Sequence, residues 1–266
     1  MKHISSHQNG DIKRLLALQS KTKIRKEKKL FVVEGQRELH LAQLGKFEIE
    51  TIFWCAEIFE ENHFETWRKQ FSDNTEYIRV SLAVYKKIVV RDSTEGVVGI
   101  LNQKETQLID WQPRNKEPLV LVLEAIEKPG NLGAILRSAD AAQIDAVLLT
   151  DSHTDIHNSN VIRSSVGGFF NIPIYVCTND EARQFLEQEN FEVYAATLQK
   201  STKYTTQNYE KPTAFVLGSE AKGLSAFWYE RGVTAVKIPM HGHVDSLNVS
   251  VASALLIYEA IRQRNS

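Results

Sequence analysis

Short apolar runs alternate with amphipathic stretches along most of the chain, and the pattern divides it in two. Phe31–Glu34 before Gly35 reads as a buried strand, and Gln36–Leu44 as a short helix closed by Gly45. Ile52–Cys55 and Tyr77–Val80 predict strands on either side of a helical stretch, Glu60–Phe71. Ser81–Ile88 predicts a helix and Gly96–Leu101 a last strand. This alternation makes residues 30–104 a small α/β domain. Residues 105–118, with Pro113, Pro118 and a polar majority, keep no period and mark a linker. Residues 119–266 open on Leu119–Leu123, an unbroken apolar run of the kind shown by a strand covered on both faces. Ala146–Thr150, Ile172–Val176, Glu192–Ala196, Ala214–Leu217 and Ala235–Ile238 predict further strands. Helices are predicted at Asn131–Ala142, Asp180–Glu189, Leu224–Arg231 and from about Asp245 to Arg264. The second half is therefore expected to be a mostly parallel sheet with helices on both faces.

Charge adds a third segment to this picture. Residues 1–29 hold nine Lys and Arg against Asp11 and Glu27, a surplus of +7 that leaves −8 for the rest of a chain of net charge −1. A basic N-terminal arm on an acidic body suits a polyanion held at one end, since each neutralised phosphate releases counterions. The alternative is a solvated tail. The longest apolar runs, Leu119–Leu123 and Ala252–Ile257, fall far short of the roughly 20 residues of a membrane span, and a cytoplasmic protein without membrane partner is expected. Cys55 and Cys177 are too few for a disulfide framework or zinc site and read as small hydrophobes. His241 and His243 lack a third ligand, and His153 and His157 lack the Glu of a zinc protease motif, so no metal is expected.

In open parallel sheets, ligands gather beyond the carboxyl ends of the strands. Three loops there are unusual. After the first strand, Pro129 and Gly130 shape a turn, Asn131 can cap the following helix, and Arg137 lies six residues on. By itself this is a capped surface helix with a solvated arginine. Leu217-Gly-Ser-Glu-Ala-Lys-Gly-Leu-Ser225 places two glycines and the acceptor Glu220 directly after a strand, with neither a dinucleotide fingerprint nor a P-loop spacing. Ile238-Pro-Met240 leads to Ser246-Leu-Asn248, polar residues among apolar ones at a strand-to-helix junction, followed by small residues.

Together and in this order, the three loops resemble the SpoU (TrmH-type) RNA 2′-O-methyltransferases of the SPOUT superfamily, over about residues 119–264. Lys29-Leu-Phe-Val-Val-Glu-Gly-Gln-Arg37 resembles the L30e-like substrate-binding domain often attached to them. Two departures are Ala221, where glycine is common, and Thr94-Glu95, where Pro-Gln is frequent. The resemblance implies a deep trefoil knot at the C-terminal end and S-adenosylmethionine bent into it. Main-chain groups at Leu217, Gly218, Ile238 and Leu247 would hold the adenosyl moiety, with Gly218 needed for close approach. Asn131, Arg137, Glu220, Ser246 and Asn248 would surround the reacting groups, and Lys28, Lys29 and Arg37 would contact RNA. A homodimer with a site shared between subunits is implied, the small-residue final helix serving as contact surface. A guanidinium with a pKa above about 12 is a poor base, so Arg137 is read as a clamp on phosphate and developing oxyanion. The implied reaction is ribose 2′-hydroxyl methylation, with ribosomal RNA the expected target. Transfer RNA, base methylation and RNA binding without turnover are the alternatives.

Overall fold

The computed structural model describes residues 2–90, 95–152, 154–229 and 232–265. Thr94, His153 and the predicted helix end at Arg231 lie outside the described residues. The chain divides into two compact units, one of residues 1–104 with 157–170, the other of 105–156 with 171–266.

The first unit is built on a five-stranded mixed sheet. Its strands are Lys2–Ile4 (β1), Leu30–Glu34 (β2), Ile49–Trp54 (β3), Glu76–Val80 (β4) and Val97–Asn102 (β5), in the order β1-β4-β3-β5-β2. β5 runs antiparallel to both β2 and β3, whereas β1, β3 and β4 are parallel. The basic N-terminal segment is folded into this unit. Gly10–Ser20 (α1) buries Ile12, Leu15 and Leu18 in the same core as Ile4, Phe53 and Val98, and Asn9 caps it by accepting from the Asp11 N–H at 2.8 Å. Thr22–Lys28 (α2) follows and ends at Lys29, which takes a left-handed conformation. Charge counting alone concealed the three-residue spacing of Ile12, Leu15 and Leu18, which is the mark of a helix with one buried face. Gln36–Leu44 (α3), Glu61–Trp67 (α4) and Leu82–Ile88 (α5) lie close to their predicted places.

The second unit holds a seven-stranded sheet, parallel throughout. Leu119–Glu124 (β6), Ala146–Thr150 (β7), Ile174–Cys177 (β8), Glu192–Ala196 (β9), Thr202–Lys203 (β10), Thr213–Leu217 (β11) and Val233–Lys237 (β12) are ordered β10-β12-β9-β11-β6-β7-β8. β6, β7 and β11 are buried along their whole length, as their continuous apolar runs require. Helices Pro129–Ala141 (α6), Asn179–Gln188 (α9) and Val249–Arg264 (α10) cover the sheet. Between α6 and α9 in the chain stand two short helices, Ser159–Ser165 (α7), which belongs to the first unit and packs on β2, and Gly168–Asn171 (α8), both too brief for an amphipathic period to mark them in the sequence. A helix expected from Leu224 is only a 3-10 turn, Ala226–Tyr229. The start expected at Asp245 moves to Val249, because Asn248 caps α10 and the residues before it are irregular.

Candidate active site

Ala196, Leu217 and Lys237 end three adjacent parallel strands, β9, β11 and β12, so their loops emerge along one edge of the sheet. A cavity of about 520 Å³ opens there. Its wall includes Leu217, Gly218, Ile238 and Leu247, and also Glu220, Ser246 and Asn248. Residues far apart in sequence meet because neighbouring parallel strands deliver them to the same end.

Each loop is held by its own chemistry. Asn248 Oδ1 accepts from the Ser250 N–H at 2.9 Å and the Ser250 hydroxyl at 2.6 Å, fixing the first turn of α10. Its Nδ2 donates to Asn131 Oδ1 at 3.2 Å, and Asn131 Nδ2 in turn donates to Glu220 Oε1. One asparagine thus links the two later loops. Asn131 does not cap α6 as expected: Pro129 occupies the first helical position and Lys128 the cap, which leaves the Asn131 side chain available to its two partners. The Ser246 hydroxyl donates to Asp245 Oδ1 at 3.3 Å.

The glycine loop is closed on itself. Gly223 N–H donates to Ser219 O at 2.9 Å and Lys222 N–H to Ser219 Oγ at 3.2 Å. A Cβ on Gly218 would lie 2.2 Å from the Gly223 carbonyl carbon and 2.4 Å from Leu224 N. The glycine requirement expected from ligand approach therefore arises first from the loop's own backbone.

Arg137 is not brought to this cavity. It lies exposed on α6, six residues and about 600° of helical turn beyond Asn131. Lys28 and Lys29 are exposed at the end of α2, and Arg37 is exposed on the first turn of α3, all in the first unit. Sequence reasoning missed Ala196–Gln199, which line the cavity after β9, and Tyr229, whose hydroxyl pairs with that of Thr197 at 3.0 Å. Applying the carboxyl-end rule to every strand would have found the former. Neither cysteine is a poised nucleophile: burial pushes the Cys177 thiol up to about 12 and that of Cys55 up to about 11. Among the described residues, no three His, Cys, Asp or Glu side chains gather to hold a metal ion.

An all-parallel sheet with a cavity at the carboxyl ends of its strands defines an α/β protein with a small-molecule site of the open-sheet kind, and solved structures narrow the class to RNA methyltransferases. The chain is 29% identical to an AdoMet-bound rRNA methyltransferase from Sinorhizobium meliloti, covering 98% of this chain and 97% of that one at a TM-score of 0.89. It is 36% identical to a solved RNA 2′-O ribose methyltransferase, covering 99% and 100% at a TM-score of 0.84. The 23S rRNA (guanosine(2553)-2′-O)-methyltransferase RlmP of Bacillus subtilis is 28% identical over 97% of this chain and 98% of its own length. The profile of the SpoU rRNA Methylase family matches residues 118–258, and the chain belongs to that family. Residues 9–99 match the MRM3-like substrate binding domain.

Proposed function

We propose that this chain transfers a methyl group from S-adenosylmethionine to a ribose 2′-hydroxyl of ribosomal RNA, in the cytoplasm and as a homodimer. The observation that carries this reading is the cavity itself, whose wall includes Leu217, Gly218, Ile238 and Leu247 together with Glu220, Ser246 and Asn248. Its volume falls within the range of about 300–1,000 Å³ usual for small-molecule sites. Apolar Leu217, Leu224, Val249 and Leu256 suit an adenine ring, and the carboxylates of Glu220 and Asp245 suit a cationic sulfonium.

Bound there, the cofactor supplies a methyl group already electrophilic on its sulfonium, so the protein's task is orientation. Asn131 would orient Glu220 and Asn248 about the ribose, and orientation can contribute on the order of 7–11 kcal/mol. Arg137, exposed on α6, would serve the site of a second copy as a clamp on phosphate and developing oxyanion, the proton leaving to water or phosphate. Val251, Leu255 and Tyr258, exposed at 47%, 38% and 49% along one face of α10, support the dimer better than the helix's small residues do. The trefoil knot is supported by the chain's path: after β11 it runs outward to β12, beyond β9, and returns through 238–248 so that α10 packs on α6 and β11.

Single-turnover methyl transfer to ribosomal RNA, followed by nucleoside mass spectrometry, tests this. A 2′-O-methyl nucleoside is expected. Arg137→Ala should slow transfer roughly 10²–10³-fold without weakening cofactor binding, and Arg137→Lys should recover only part of the loss. A methyl group found on a base overturns the reading, and near-parental turnover in the Ala variant removes Arg137 from it.

A further inference from the structure

Glu124, the last residue of β6, is only 4% exposed and does not line the cavity. A carboxylate that deep must be fully hydrogen-bonded. Its two oxygens grip one residue of the glycine loop. Oε2 accepts from the Ser225 backbone N–H at 2.7 Å, and Oε1 accepts from the Ser225 hydroxyl at 2.6 Å. Oε1 also accepts from Asn179 Nδ2 at 2.7 Å. Asn179 cannot readily turn over, because its Oδ1 accepts from buried Trp228 Nε1 at 3.0 Å and its Nδ2 donates to Asp151 Oδ2 at 2.8 Å.

Ser225 directly follows Gly223 and Leu224, whose backbone atoms crowd Gly218. Gly218, Ser219, Glu220, Lys222, Gly223 and Leu224 form one wall of the cavity. The loop is closed internally between Ser219 and Gly223, so its position relative to the sheet depends on its ends. One end is β11. The other is the grip of Glu124 on Ser225.

We propose that Glu124 is a positioning residue for the cofactor: through Ser225 it sets where the 218–224 wall stands, and so the affinity of the cavity for S-adenosylmethionine. The proposal rests on the cavity being the cofactor site. Glu124→Gln preserves volume but replaces one acceptor by a donor. With Nε2 toward Ser225 N–H two donors meet, and with Nε2 toward Asn179 two donors meet again, so either rotamer loses a hydrogen bond. Ser225→Ala removes the hydroxyl alone, and Ser225→Thr restores it.

The test is calorimetric Kd for S-adenosylmethionine and S-adenosylhomocysteine, with steady-state methyl transfer, on the full chain. Glu124→Gln should raise Kd and the KM for cofactor about 10–100-fold, the size of one charge-assisted hydrogen bond. KM for RNA should stay within about twofold of the parent, and kcat at saturating cofactor should fall by less than the cofactor Kd rises, because Glu220 is displaced with the same wall. Ser225→Ala should move the same constants less, and Ser225→Thr should return them toward the parent; this pair carries the test if the Gln variant does not fold. A lowered melting temperature with unchanged cofactor Kd in the variants would make Glu124 merely structural and overturn the proposal. A parental chain that binds neither compound overturns the reading of the cavity, and the proposal with it.

Discussion

A single added carbon at Gly218 would sit 2.2 Å from backbone carbon and oxygen of Gly223, atoms that no side-chain rotation can move aside. Gly218→Ala should therefore displace the loop. Overpacking of this kind costs about 1–3 kcal/mol, and the melting temperature should fall by roughly 2–4 °C for each kcal/mol. Cofactor Kd should rise at least about tenfold, since Gly218 and Gly223 are both in the cavity wall. Thermal melts and calorimetry on the same preparation check both numbers; a variant with parental melting and parental Kd would show that the loop has slack. Arg25 shows the opposite lesson at this scale. It counts toward the basic surplus, yet it is buried, its Nη1 donating to the carbonyls of Leu18 at 2.6 Å and Gln19 at 3.0 Å and its Nη2 to Thr22 Oγ1 at 2.9 Å. There it closes the end of α1, where carbonyls lack helical partners and favour a cation.

α10 joins two roles along its sixteen residues. Its N-terminus, capped by Asn248, borders the cavity through Val249, Ala252 and Leu256. Its buried residues include Ser253, Leu256, Ile257 and Ala260, and it packs on α6 and β11. Val251, Leu255 and Tyr258, spaced by four and three residues, remain exposed on another face. If that face joins two copies, Leu255→Asp combined with Tyr258→Asp should convert a dimer to a monomer in analytical ultracentrifugation, because an aspartate left unpaired in an interface is costly. Turnover should fall with the dimer, while the melting temperature changes little for exposed positions. An unchanged sedimentation coefficient would place the interface elsewhere.

In the whole molecule, the basic surplus belongs to a folded unit. Lys2 pairs with Asp11, and Arg14 pairs with Glu50 through bonds of 2.6 and 2.9 Å. Lys13, Lys21, Lys23, Lys26, Lys28 and Lys29 are exposed. Deleting residues 13–29 would remove buried Leu15 and Leu18 and unfold the unit, so charge must be changed without changing shape. Replacing Lys21, Lys23, Lys26 and Lys28 with Gln should weaken binding to ribosomal RNA and flatten its salt dependence by roughly 0.7–0.9 for each phosphate that is no longer neutralised. Cofactor affinity should not respond. A salt slope equal to the parent's would assign these lysines to solubility alone.

Most strands in both halves were legible in the chain, because a buried strand must be written as a continuous or alternating apolar run, and β7 and β9 lie at their predicted bounds, whereas β1 and β10, of three and two residues, are too short to show one. Three strand-end loops of unusual composition were legible too, but that Leu217, Gly218, Glu220, Ile238, Ser246, Leu247 and Asn248 share one site came from the family resemblance, and the structure lines one cavity with all seven. What local pattern could not contain was decided by tertiary structure. Asn131 became a bridge between loops because Pro129 started the helix earlier, and Arg137 is exposed on α6 and does not line the cavity. Glu124 gained its role only when β6 brought it against Ser225, 101 residues later in the chain. Periodicity reports which side of an element is buried; which distant atom it is buried against is settled only when the sheet has assembled.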